Sequence, residues 1–183
     1  MTAANQLTLL RILSVPLLVG LVASGSVGTA LAVFLLSGAT DLLDGHIARK
    51  YGQRTALGRF LDPLADKLLM VGALVVLSLE NPALEVRIPH WLPLSVVARD
   101  LILGIGALSA YVMSGTRAFP PSMLGKLSTL SQFTTILVVL VDNAIPWRIP
   151  FHAGLFGLTA LVTVGSGVQY LVRGVRVLAC NRG

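Results

Sequence analysis

Four aspartates, Asp41, Asp44, Asp62 and Asp66, lie in one stretch, DLLDGHIARKYGQRTALGRFLDPLADK, that runs from Asp41 to Lys67. Asp41 and Asp44 are three residues apart and Asp62 and Asp66 four apart, and on α-helices each spacing puts both carboxylates on one face. The pairs fall on consecutive predicted helices with a short link between them, so an antiparallel hairpin brings them opposite each other at one depth. Four carboxylates that close repel strongly unless a cation neutralises them. An all-oxygen donor set suits Mg²⁺ or Mn²⁺, and no Cys or His cluster competes for a softer metal. His46 adjoins the motif but occupies a different helical position, and it is not expected to be a ligand. Acidic residues at helix ends often only cap or face solvent. That explains Asp41 alone; it does not explain four aspartates at helical spacing in flanks this apolar, where charge is costly and marks a site. Asp142, beside Asn143 in an expected loop, reads as a turn or cap residue.

Metal, phosphate and a basic group fit one chemistry. Two divalent ions about 3.5–4 Å apart can neutralise a pyrophosphate and stabilise a leaving phosphate. Gly45 and Gly58 let backbone or substrate approach closely. Arg49, about one helical turn beyond Asp44, can reach a phosphate through a bidentate fork. An aspartate not fully used by metal can take the proton of an attacking hydroxyl, and spacing alone does not choose which.

The elements that must position these groups are apolar helices. The 183 residues are 55% hydrophobic and 12% charged, about half the charged fraction usual in soluble domains, and the mean hydropathy is +0.82. A membrane helix needs roughly 20 mostly apolar residues. Six segments qualify: Leu7 to Ala23, Thr29 to Arg49, Leu57 to Leu79, Leu92 to Val112, Met123 to Val141 and Phe151 to Val172. The first is read as a retained helix rather than a signal peptide, because no small-residue cleavage site leads into soluble sequence. Ser24-Gly25-Ser26, the Lys50 to Arg54 link, Asn81-Pro82, Ile88-Pro89, Ser114-Gly115, Pro120-Pro121 and Asp142-Asn143 with Pro146 punctuate them. The fold class expected is all-α, polytopic, with six transmembrane helices in a single domain over residues 1–183. Cys180 has no second cysteine with which to form an internal disulfide.

The net charge of +6 comes from basic residues spread over links and ends, and aromatics are 6%. A nucleic-acid surface needs a clustered basic face with stacking aromatics, so no nucleic-acid partner is expected. The charges fit membrane topology and attraction to anionic lipid. Lys50, Arg54, Arg59, Arg117, Lys126, Arg173, Arg176 and Arg182 fall on one side and only Arg87 and Arg148 on the other, which puts both termini and the aspartates on the cytoplasmic side.

The stretch Asp41-x-x-Asp44-Gly45-x-x-Ala48-Arg49, eight residues, then Gly58-x-x-x-Asp62-x-x-x-Asp66 resembles the complete signature of the CDP-alcohol phosphatidyltransferases. The six-segment layout resembles that family over almost the whole chain. The resemblance implies that Asp41, Asp44 and Asp62 ligate two divalent ions, Mg²⁺ or Mn²⁺, with Asp66 as both ligand and general base. It implies that an acceptor hydroxyl attacks the lipid-side phosphate of CDP-diacylglycerol and CMP leaves, and that Gly45, Arg49 and Gly58 hold the cytidine diphosphate. Pro63 either shapes the helix around Asp62 or makes direct contact. Asn5-Gln6-Leu7-Thr8-Leu9-Leu10-Arg11 looks like the Asn-x-Leu-Thr-x-x-Arg start of the glycerol-acceptor branch, which places Asn5 and Thr8 near the nucleotide. By residue type alone, Asn5 and Thr8 read as helix caps and Arg11 as an interface anchor. A homodimer is implied by the resemblance only. The expected location is the bacterial inner, cytoplasmic membrane.

The acceptor depends on the second half. Arg99 and Asp100 stand inside the fourth segment, and Gly125-Lys126-Leu127-Ser128-Thr129 and Gln132 follow. An embedded arginine wants an anionic partner; neighbouring helical positions diverge, so Asp100 is not expected to serve. An acceptor phosphate or a motif aspartate remains. Lys126 is a second phosphate contact or an interface anchor. Phosphatidylglycerophosphate synthases usually show Arg-Glu here and another Arg eight residues after the first. This chain has Asp100, and Ala107 at the later position, so one cation for a dianionic monoester is missing. Arg99-Asp100 with Pro121-Ser122 and Gly125-Lys126 looks more like the CMP-forming cardiolipin synthases. Phosphatidylglycerol is therefore the favoured acceptor, with glycerol 3-phosphate second. A reading of another class is a small ion-coupled transporter, which predicts inverted repeats and broken helices in matching halves; neither is evident, and it leaves the Ala48-Arg49 and Gly58 spacing unexplained.

Overall fold

The computed structural model describes residues 3–51, 56–114, 122–145 and 150–180, and among these the side chains of residues 9–40, 62–107, 109, 122–145 and 150–173. All regular structure among them is helical: α1 (Ala3–Ala23), α2 (Val27–Tyr51), α3 (Ala56–Val76), α4 (Trp91–Ser114), α5 (Met123–Ala144) and α6 (His152–Cys180). Each of the six apolar segments forms one helix. α1 starts before the apolar run does, so Asn5 and Thr8 lie inside it rather than capping it. α5 continues to Ala144, which puts Asp142 in its last turn and buries it, in place of the loop expected from the Asp-Asn pair. The family of helices runs unbroken through Pro16 and Pro63.

Local chemistry explains the ends. After α1, Ser26 N–H donates to Leu21 O at 2.8 Å and Gly25 N–H to Val22 O at 3.0 Å, with Gly25 at φ +80°. This is a Schellman stop, in which a glycine takes the left-handed conformation at no steric cost. α5 begins on Ser122, whose Oγ accepts from Gly125 N–H at 3.0 Å, the bond made by an N-cap hydroxyl. α3 ends where the chain turns into an irregular segment held by side-chain amides. Asn81 Nδ2 donates to Val22 O at 2.8 Å, and Asn143 accepts from Val86 N–H at 3.1 Å while donating to Val86 O at 2.9 Å.

The chain forms two compact units, residues 1–88 with 136–150, and residues 89–135 with 151–183. In the first, α1 packs on both α2 and α3. Its buried stripe is Arg11, Ser14, Leu18 and Val22, and Ala30, Phe34 and Ser37 of α2 and Ala65, Leu69 and Ala73 of α3 are buried as well. In the second, α4 packs on α6, and buried Ser128, Gln132 and Thr135 of α5 meet Thr159 and Thr163 of α6.

The polarity of these faces is reversed from that of a soluble bundle. Arg11 is 4% exposed and Thr163 0%, whereas Leu13 is 67% and Leu161 72% exposed. Water would expel that arrangement; hydrocarbon favours it, because polar side chains there seek the protein interior. By length and composition, Met123–Ala144 and His152–Arg173 can cross a membrane, and Leu9–Ala23 and Val27–Thr40 are shorter apolar runs.

Candidate active site

In the first unit, Asp62 and Asp66 stand one turn apart on α3, both partly exposed, with buried Ala65 and Leu69 anchoring the helix beneath them. Asp66 Oδ1 receives Arg11 Nη1 at 2.9 Å, and the side chains are 43% and 4% exposed respectively. Arg11 is thus no interface anchor: it points into the unit and meets a motif carboxylate. The sequence reading missed this because the leucines around Arg11 make either face of α1 equally apolar. Ser14 Oγ donates to Arg11 O at 2.7 Å and accepts from Ser37 Oγ at 3.0 Å, so hydroxyls tie α1 to α2 just below. A cleft of about 270 Å³ opens there, lined by Arg11, Ser14, Ser37 and Thr40 and walled by leucines that include Leu13 and Leu36.

Asp41, Asp44, Gly45 and Arg49 lie on α2 and Gly58 on α3, but their side-chain surroundings, and the facing of the two aspartate pairs, lie outside the described residues. So do the surroundings of Asn5, Thr8 and His46. Among the described residues no group of three or more Asp, Glu, His or Cys comes together. The donor chemistry of Asp62 and Asp66 nevertheless fits a hard divalent ion. Both offer anionic oxygen from within α3, one turn apart and partly exposed, the hard donor type such an ion prefers.

In the second unit, Arg99 Nη1 donates to Asp100 Oδ1 at 2.7 Å and Arg99 Nε to Ser166 Oγ at 2.9 Å. The expectation that Asp100 cannot serve its neighbour is corrected. The Cα–Cβ vectors do diverge, but an arginine is long enough to turn along its own helix. Ser166 Oγ in turn donates to Thr163 O at 2.9 Å. Gly125 and Gly167 border Arg99 at ordinary packing distance: a methyl on Gly125 would stand 3.4 Å from its Nη2, and one on Gly167 3.5 Å from its Cγ. Lys126 is exposed in the first turn of α5. The polar seam continues from Thr163 Oγ1 to Ser128 Oγ at 3.0 Å, with Gln132 Nε2 donating to Ser128 Oγ at 3.1 Å. Thr135 and Thr159 hydroxyls meet at 2.8 Å farther along. Of this seam the sequence had singled out only the stretch up to Gln132; the matching hydroxyls of α6, four residues apart at Thr159 and Thr163, were the signal for the rest.

Comparison with known proteins extends this. The family model for CDP-alcohol phosphatidyltransferase matches residues 1–166. A Streptomyces coelicolor protein named cardiolipin synthase (CMP-forming) is 34% identical over 168 residues, 86% of this chain and 73% of its own. A Mycobacterium tuberculosis protein named probable phosphatidylglycerophosphate synthase is 35% identical over 182 residues, 94% of this chain and 81% of its own. A Drosophila melanogaster protein named probable cardiolipin synthase (CMP-forming) is 34% identical over 191 residues, covering 94% of this chain; the match spans 57% of that longer relative. The names divide between two acceptors at nearly equal identity. A small ion-coupled transporter is set aside, because nothing in that reading accounts for the family match or for the motif spacing. With the aspartate signature, the inward-facing polar residues and a family match over residues 1–166, the chain belongs to the CDP-alcohol phosphatidyltransferase family of enzymes.

Proposed function

We propose that this protein is a phospholipid synthase that transfers the phosphatidyl group of CDP-diacylglycerol to phosphatidylglycerol, forming cardiolipin and releasing CMP. The observation that carries the choice of acceptor is the Arg99–Asp100 pair at 2.7 Å. The guanidinium spends much of its charge on its neighbour. What remains suits the single negative charge of a phosphodiester better than a dianionic monoester. Glycerol 3-phosphate is the second reading, favoured by the name of the Mycobacterium tuberculosis relative.

Divalent-metal dependence is general in this family. Asp41, Asp44, Asp62 and Asp66 would hold two Mg²⁺ or Mn²⁺ ions, which when bound neutralise the diphosphate and the departing CMP. Asp66 takes the proton of the acceptor hydroxyl. Arg49, with the close approach allowed at Gly45 and Gly58, holds the diphosphate, and Asn5 and Thr8 flank the nucleotide. Arg99 and Lys126 bind the acceptor phosphate. All six helices span the bilayer with both termini cytoplasmic. The helices have 21 to 29 residues each, which at 1.5 Å per residue is enough to cross a core of about 30 Å.

Acceptor profiling tests this. Purified protein in lipid receives CDP-diacylglycerol, MgCl₂ or MnCl₂, and phosphatidylglycerol, glycerol 3-phosphate, inositol phosphate or serine. CMP release with cardiolipin as product is expected only with phosphatidylglycerol. A strong preference for glycerol 3-phosphate overturns the acceptor assignment, and no CMP with any acceptor overturns the reaction.

A further inference from the structure

We infer that Arg11 is a positioning residue for Asp66, gripping Oδ1 from the protein interior so that the carboxylate meets the acceptor hydroxyl in one fixed orientation. The inference rests on the reading of Asp66 as the proton acceptor and goes beyond it. The ion pair is lopsided: the guanidinium is 4% exposed and the carboxylate 43%. A surface ion pair would leave both groups wet and loosely held. Here the clamp is almost wholly buried and the clamped group is much the more open of the two.

Position argues the same way. Desolvating a guanidinium costs several kcal/mol. Leu10, Leu13 and Leu17 on the outer face of α1 are 53–67% exposed, and a long arginine there could have reached the headgroup layer. Arg11 turns inward instead, toward a motif carboxylate. The frame that carries it is tight on two sides. The Ser37–Ser14–Arg11 O chain fixes α1 against α2. On the α3 side, Gly72 lies so close to α1 that a methyl there would stand 3.0 Å from Val15 Cγ1. The distance from the Arg11 backbone to α3 is therefore set by packing, and the guanidinium then sets the rotamer of Asp66. A proton acceptor works only within hydrogen-bond reach and at the right angle, and such orientation is supplied by locked neighbours.

The test uses the full chain in lipid nanodiscs with Arg11→Gln, Arg11→Lys, Asp66→Asn and the Arg11→Gln/Asp66→Asn double variant. Turnover is measured with CDP-diacylglycerol, and MnCl₂ binding is measured separately by electron paramagnetic resonance. Misorientation of a reacting group costs up to about 100-fold, so Arg11→Gln is expected to lower kcat by about 10- to 100-fold while KM for CDP-diacylglycerol stays within about twofold. Mn²⁺ binds Arg11→Gln at least as tightly as wild type, because a cation beside a ligand carboxylate opposes the metal. In the Asp66→Asn background Arg11→Gln has no further effect on residual turnover, since the two act as one unit. Joint loss of Mn²⁺ affinity and turnover in Arg11→Gln, or an equal loss in both backgrounds, means a structural ion pair only and overturns the inference. Should Arg11→Gln fail to fold, Arg11→Lys carries the test. Its shorter side chain ends in a rotatable ammonium that does not hold Oδ1 in the direction set by the planar guanidinium, so kcat is expected to fall by about threefold or more with Mn²⁺ binding kept; wild-type kcat overturns the inference. Wild-type turnover in Asp66→Asn sinks the role of Asp66 itself, a separate result.

Discussion

Arg99 and Asp100, adjacent in sequence, are joined by a 2.7 Å bond from Nη1 to Oδ1, and Arg99 Nε is held at 2.9 Å by Ser166 on α6. The arginine is thereby fixed in place and partly neutralised by one neighbour. Removing the Asp100 charge while keeping its shape restores the full cation. Asp100→Asn is expected to raise kcat/KM for glycerol 3-phosphate relative to phosphatidylglycerol by about fivefold, on the order of 1 kcal/mol. A competition assay with both acceptors measures the ratio; an unchanged ratio removes charge sharing as the basis of acceptor choice.

The aspartates predict a sharper result. Asp66→Asn keeps the size of the side chain and one acceptor oxygen but removes its basicity. Turnover is expected to fall by about 100-fold or more, within the range a positioned acid–base group supplies. Binding of a CDP-lipid analogue, followed by calorimetry, is expected to survive. Chelation with EDTA is expected to abolish CMP release, and MgCl₂ or MnCl₂ to restore it. CMP release that persists through chelation contradicts the metal assignment.

Gly72 and Gly20 separate packing from propensity. A methyl at Gly72 would stand 3.0 Å from Val15 Cγ1, whereas Gly20 has open space around it. Valine is stiff about χ1, so Gly72→Ala must move α1 on α3 and is expected to cost about 1–3 kcal/mol. Gly20→Ala is expected to be neutral or stabilising by up to about 1 kcal/mol. Equilibrium unfolding in detergent compares the two, and equal stabilities would refute the close approach of α1 and α3.

The hydroxyl seam between α5 and α6 predicts a modest effect. Thr163→Val keeps the shape and removes the oxygen that meets Ser128 Oγ at 3.0 Å. A loss of about 0.6 kcal/mol is expected, and no more than about 1.7 kcal/mol, the mean and the maximum found for such bonds between membrane helices. Thr163→Ser is expected to retain most of the stability. Thermal unfolding in one detergent ranks the three; a valine variant as stable as wild type would leave the seam without energetic weight.

The number and type of elements were legible in the primary sequence. Each of the six apolar runs became one helix, because apolar length and turn residues are local properties that tertiary packing rarely reverses. Gly25 at the α1 stop and Ser122 at the α5 start follow from the same local chemistry. The family assignment was legible too, since the aspartate spacing is a one-dimensional pattern. Asp142 was misjudged because a polar pair beside Pro146 looks like a turn. In the fold Asn143 spends its amide on Val86, 57 residues away in sequence, and the helix continues through both residues.

Primary sequence therefore determined the helices and which carboxylates could share a face, because both depend on spacing along a single helix. Only tertiary structure decided where Arg11 and Arg99 turn. Arg11 reaches across to Asp66 on α3, and Arg99 folds back on Asp100 while leaning on Ser166 of α6. The physical reason is reach combined with uniform surroundings. A long flexible cation on a helix that is apolar all round has no preferred side until the packed structure supplies a carboxylate or a hydroxyl.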